Sequence, residues 1–118
     1  MHVVDQILPT QGYYCAAQLT DSGKFIHRFF NNTNDLISFI EMQDRAGHTM
    51  YLAQASYKTT ANRKTDNAAY VRNFFFDIDC GVEKFAQTPD KAYETQRDGC
   101  EAIKNFAQEL GLPLPTVV

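Results

Sequence analysis

The sequence predicts a small mixed α/β (α+β) domain, and three observations point that way. Two short aromatic runs flank a turn signal, an Asn-rich segment opens an apolar helical stripe, and a strongly β-prone run, YVRNFFFDID at residues 70–79, precedes a second helical stripe. Periods near two and near 3.6 therefore alternate along one short chain, which is the pattern of helices packed on a sheet.

The elements follow in order. Residues 12–19 (GYYCAAQL) and 24–30 (KFIHRFF) read as a β-hairpin around Thr20, Asp21, Ser22 and Gly23. Asn31, Asn32, Thr33 and Asn34 offer N-caps to a helix over residues 35–46, striped by Leu36, Ile37, Phe39 and Ile40 and stopped by Gly47. Residues 49–57 (TMYLAQASY) alternate like one strand with two different faces. Residues 58–69 lack periodicity and read as a loop long enough to suspect a role, of a kind often mobile until a ligand arrives.

The run 70–79 reads as the central strand of a sheet covered on both faces, because it is strongly β-prone and carries the apolar run Phe74, Phe75, Phe76 and Ile78. Thr88, Pro89 and Asp90 then predict the start of a helix over residues 90–110, with Tyr93, Cys100, Ile103, Ala107 and Leu110 on one face and Gly111 ending it. That helix is expected to cross over to a parallel strand beginning near Thr116. A single domain is expected over residues 1–118, since no repeat, low-complexity stretch or linker divides them.

Composition narrows the function classes. No apolar run reaches the roughly 18 residues that span a bilayer, and the first residues carry no export signal, so a cytoplasmic location without a membrane partner is expected. Cys15, Cys80 and Cys100 lie 65 and 20 positions apart with no zinc spacing, and read as buried free thiols; His2, His27 and His48 are equally scattered. The net charge of −3 argues against binding nucleic acid through bulk positive charge. Its distribution is uneven, however: Lys58, Arg63, Lys64 and Arg72 against Asp66 make residues 58–72 locally +3, directly before an acidic motif.

That motif is Asp77-Ile78-Asp79. Two carboxylates two apart on a strand project from one face, and such crowding is relieved by a hard divalent ion such as Mg²⁺ or Mn²⁺. Two metals bridged this way would suit an in-line phosphoryl transfer. The bland alternative is a strand running out into solvent. A calcium loop fails, because it would need Gly at Val82 and a bidentate Glu at Thr88. Lys58, Arg63, Lys64, Arg72 and Lys84 are candidates for nucleotide or template phosphates, against the alternative of solvated surface cations. Tyr51 and Tyr57 could stack a base, although core packing explains them more simply.

The run FFFDIDCG at residues 74–81, with Lys84 behind it, a helix, and then LGLPLPTVV at residues 110–118, resembles phage and plasmid members of the archaeo-eukaryotic primase superfamily over roughly residues 50–118. The resemblance implies that Asp77 and Asp79 are the first catalytic motif and bind Mg²⁺ or Mn²⁺. It also implies a DNA template and nucleoside triphosphates as partners, and a helicase domain or protein as a further one. In that family a Gly-rich segment with a catalytic His and a later acidic ligand follow, so the chain is expected to be the N-terminal portion of a primase-polymerase core in DNA replication, inactive alone. The alternative is a non-catalytic relative that serves as a nucleic-acid-binding or protein-interaction module.

Overall fold

The computed structural model describes residues 2–115, which belong to two compact units, Met1–Phe74 and Phe75–Val118. We call them the N-unit and the C-unit. The architecture is mixed α+β with antiparallel sheets.

In the N-unit, β1 (Tyr14–Leu19) and β2 (Phe25–Phe30) form the expected hairpin, and β3 (Thr49–Leu52) joins the other edge of β1, giving the order β2-β1-β3. Thr20 closes the turn twice, its backbone amide and its hydroxyl both donating to the Lys24 carbonyl. Helix α2 (Thr33–Arg45) starts where the Asn cluster places it. The Asn32 side chain accepts from the Asp35 amide at 2.8 Å, and the backbone turns out of the helix at Gly47, whose φ is +85°. The helix lays Leu36, Ile37, Phe39 and Ile40 on one face of the sheet, where they meet Tyr14, Ala16, Phe30, Met50 and Leu52.

A short helix not anticipated from the sequence, α1 (Val3–Ile7), adds Val4 and the following Leu8 to this core. Five residues are too few to hold a helix in isolation. Its carbonyl end is held from outside: Arg72 donates to the carbonyls of Asp5 (2.8 Å) and Leu8 (3.3 Å), and Asn73 to those of Gln6 (3.3 Å) and Ile7 (2.8 Å).

The single strand expected over residues 49–57 is two. β3 ends at Leu52, and after Ala53 and Gln54 the chain enters β4 (Ala55–Tyr57), which pairs with β5 (Ala68–Val71) in a separate two-stranded sheet. Tyr13 and Tyr57 bridge β4 to the start of β1. The approach is close at Gly12, where φ is +94° and an added Cβ would lie 2.7 Å from Ser56 Oγ.

Residues 58–67 are not a structureless loop. Asn67, only 9% exposed, is its hub: Oδ1 accepts from the Thr59 amide and hydroxyl, and Nδ2 donates to the Thr59 and Asn62 carbonyls. Every hydrogen-bonding position of that buried amide is used, so one side chain ties the segment together at Thr59 and Asn62.

The largest correction concerns residues 70–79. β5 ends at Val71, and residues 72–79 belong to no strand. Phe74 is 98% exposed, and Phe75 and Phe76 are more than half exposed. The buried central strand is therefore overturned. An apolar run becomes a central strand only where neighbours pair with it on both sides, and here Arg72 and Asn73 are turned to cap α1 instead.

The C-unit holds α3 (Val82–Gln87) and α4 (Gln96–Glu109). The second helix begins six residues later than expected. Thr95, not Thr88, is its cap, accepting from the Asp98 amide at 3.1 Å, while Thr88 closes α3 by donating to the Lys84 carbonyl. Tyr93 is drawn into an extended bridge with Cys80, donating to the Asp79 carbonyl (2.8 Å) and accepting from the Gly81 amide (2.9 Å). Gly111 ends α4 as anticipated, with φ +66°; the strand expected from Thr116 lies outside the described residues.

Candidate acidic site

Phe76, Ile78 and Cys80 lie against α4, and this alternation builds the site. On one side Phe76 meets the edge of the Phe106 ring at 6.1 Å, and Ile78 and Cys80 pack on Gly99. A methyl group at Gly99 would lie 2.8 Å from Cys80 Sγ and 3.3 Å from Ile78 Cγ2. Glycine in mid-helix costs about 1 kcal/mol relative to alanine, and here it permits the segment to approach the helix backbone. On the other side Asp77 and Asp79 are exposed. Both carboxylates are therefore open to solvent two residues apart, although no regular strand holds them.

Lys84, on α3, forms an ion pair with Asp79 Oδ1. Its ammonium is held above the usual lysine range, first by that hydrogen bond and by the charge of Asp79, and more weakly by the charge of Asp77. The pair is open to water on both sides, so it adds little to stability and sets local geometry instead.

Among the described residues no group of three or more His, Cys, Asp or Glu side chains gathers to hold a metal by itself. Two carboxylates facing solvent nevertheless fit a small hard ion of the Mg²⁺ class, which keeps several waters and takes further oxygens from phosphates. In such a site Lys84 would have to leave Asp79 or share it.

Of the other candidates, Lys58, Arg63, Lys64 and Arg72 belong to the N-unit, so within one unit only Lys84 meets the acids. Arg72 is committed to the α1 carbonyls, which accounts for it structurally. Lys58 donates to the Asp66 carbonyl within its own loop. Arg63 and Lys64 are exposed and make no side-chain hydrogen bond or ion pair among the described residues. Tyr57 is buried and Tyr51 half exposed.

Sequence reasoning passed over two residues that shape these regions. Gly99 carried a readable signal, a glycine inside an otherwise helical stretch. Asn67 carried none, because a buried amide hub looks like any loop asparagine. Among the described residues, no helix is long and apolar enough to cross a membrane. No family model matches the chain, and neither a curated protein nor a solved structure matches it.

Proposed function

We propose that the chain contributes the first acidic motif of a DNA primase-polymerase core, with Asp77 and Asp79 as ligands to Mg²⁺ or Mn²⁺. The observation that carries this reading is the exposure of both carboxylates, two residues apart, on a segment anchored to α4 through Phe76, Ile78 and Cys80. Anchoring matters because a ligand pair has to be held in place before the ion arrives. A bound ion would neutralise charge developing on phosphate oxygens during nucleotidyl transfer. Asp77 and Asp79 would orient it, and Lys84, released from Asp79, would offer its ammonium to a triphosphate oxygen as a point charge. On this reading the isolated chain is inactive, and DNA template and nucleoside triphosphates are ligands of the complete core.

The test is a Mn²⁺ titration of the isotopically labelled chain, followed by paramagnetic broadening. Broadening should centre on Asp77, Asp79 and Lys84 and vanish in the Asp77→Asn/Asp79→Asn double variant. Broadening spread over all exposed carboxylates would remove the metal assignment and leave a non-catalytic binding module as the better account.

A further inference from the structure

The face of the three-stranded sheet turned away from α2 is an uncovered row of rings. Register decides its membership. Leu19 lies between Phe25 and Thr49, Ala17 between His27 and Tyr51, and Cys15 opposite Phe29, whereas Tyr14, Ala16, Phe30, Met50 and Leu52 face the helix. Arg28 confirms the division, its guanidinium sitting 5.4 Å above the ring of Phe39 on the helix side.

Alanine and cysteine in the central strand lie fully buried under their neighbours, so the rings stand close together. Phe25 meets Tyr51 edge-on at 5.5 Å and lies nearly parallel to His27 at 6.5 Å, while Phe29 meets Tyr57 edge-on at 5.8 Å. Phe25 and Tyr51 are nonetheless half exposed, at 50% and 48%.

One cation, Arg63, stands beside this face. Arg63 lies within electrostatic reach of Cys15, His27 and Tyr57 together, which sets its charge beside the rings, and Lys64 follows it. The loop carrying both is held to Asn67 by hydrogen bonds from Thr59 and to Asn62. The register puts no carboxylate on the face; the acids of this unit lie on α1 (Asp5), in the β1–β2 turn (Asp21), on α2 (Asp35, Glu41, Asp44) and in the loop (Asp66). Burial and the charge of Arg63 lower the pKa of His27, so its ring is neutral near pH 7.

We infer that this face binds single-stranded nucleic acid, with bases stacked on Phe25, His27 and Tyr51 and phosphates drawn to Arg63 and Lys64. Charge complementarity selects this occupant, because half-exposed rings beside unpaired cations match a strand that presents flat bases and anionic phosphates together. A duplex hides its bases and would offer the rings nothing to stack on. Binding here requires no divalent ion, so the inference stands whether or not Asp77 and Asp79 hold one.

The experiment is fluorescence anisotropy of the chain with 5′-labelled dT12 and rU12 oligonucleotides in EDTA, against a 12-base-pair duplex, at 50 and 200 mM NaCl. Single strands should bind and the duplex should bind more weakly. Phe25→Ala and Tyr51→Ala should each weaken binding about ten-fold, and Arg63→Ala with Lys64→Ala should flatten the log–log salt slope by about 1.4. Amide shifts on adding dT12 to the unaltered chain, centred on β2 and β3, guard against misfolded variants. Equal binding of duplex, no binding at 50 mM NaCl, or affinity untouched by Phe25→Ala and Tyr51→Ala would overturn the inference. So would concentration-dependent dimerisation abolished by Phe25→Ala without oligonucleotide binding, since the face would then belong to a second copy.

Discussion

The N-unit and the C-unit solve the same packing problem with different means. The N-unit has seven Lys and Arg against six Asp and Glu, a net +1, and a core built on Val4, Leu8, Tyr14, Ala16 and Leu36. The C-unit has four against eight, a net −4, and its buried residues are Ala92, Gly99 and Ala107, with Leu110, Leu112 and Leu114 left exposed. A large side chain buried in a sheet-and-helix core stabilises through its own area, whereas small residues stabilise by letting backbones approach. The acidic motif therefore sits on the unit with less apolar burial and more self-repulsion, and anything cationic bound there would add visibly to its stability.

Substitutions can break this contrast or sharpen it. The largest effect is expected for Leu36→Ala, which empties a fully buried site in the N-unit and should cost about 2–5 kcal/mol. Denaturant unfolding read by hydrogen exchange would place that loss in the N-unit, and an equal loss in the C-unit would mean that the two do not differ as described.

Gly99→Ala is the counterpart in the C-unit. The added methyl would press on Cys80 Sγ and Ile78, so the gain in helix propensity should be outweighed and the C-unit should lose about 1–3 kcal/mol. The amide signals of residues 76–80 should shift with it. A stabilised variant would show that the segment is not seated on α4.

Lys84→Met removes the cation that competes for Asp79 and should tighten Mn²⁺ binding severalfold by titration. The sign with pH follows from the raised lysine value: the pair is present below the ordinary lysine range and is lost only as pH climbs through the higher folded value. Competition should accordingly be unchanged between pH 6 and 8, and a strong rise in Mn²⁺ affinity over that range for the unaltered chain, beyond carboxylate titration, would contradict it.

Cysteine labelling compares the units without substitution. Burial pushes the Cys15 thiol up to about 11, so at pH 8 it should stay protonated and react with a thiol reagent well after Cys80 and Cys100, which are partly exposed. Because the folded state disfavours the thiolate, the N-unit should lose stability as pH rises past the ordinary thiol range. The smallest effect belongs to Phe74→Ala, within about 0.5 kcal/mol, since that ring is almost wholly in solvent.

Phe74 also shows where the sequence was readable. The hairpin and α2 were legible because their signals are local: a turn between aromatic runs, an Asn cap, a stripe at helical spacing. Residues 74–76 were not, because an apolar run reports a preference for burial and not the presence of partners. The break between β3 and β4 was hidden for a related reason, since alternation continues through Ala53 and Gln54 while the chain changes sheets. At the acidic site, the nearness of Lys84 to the acids was legible from spacing. The seat on Gly99 depends on a residue 20 positions beyond Asp79, which no local pattern reports.

The grip of Arg72 and Asn73 on the carbonyls of α1 brings the beginning and the end of the N-unit to one place, across 64 to 67 residues of chain. Such closure is the geometry that tolerates circular permutation and insertion into a host protein.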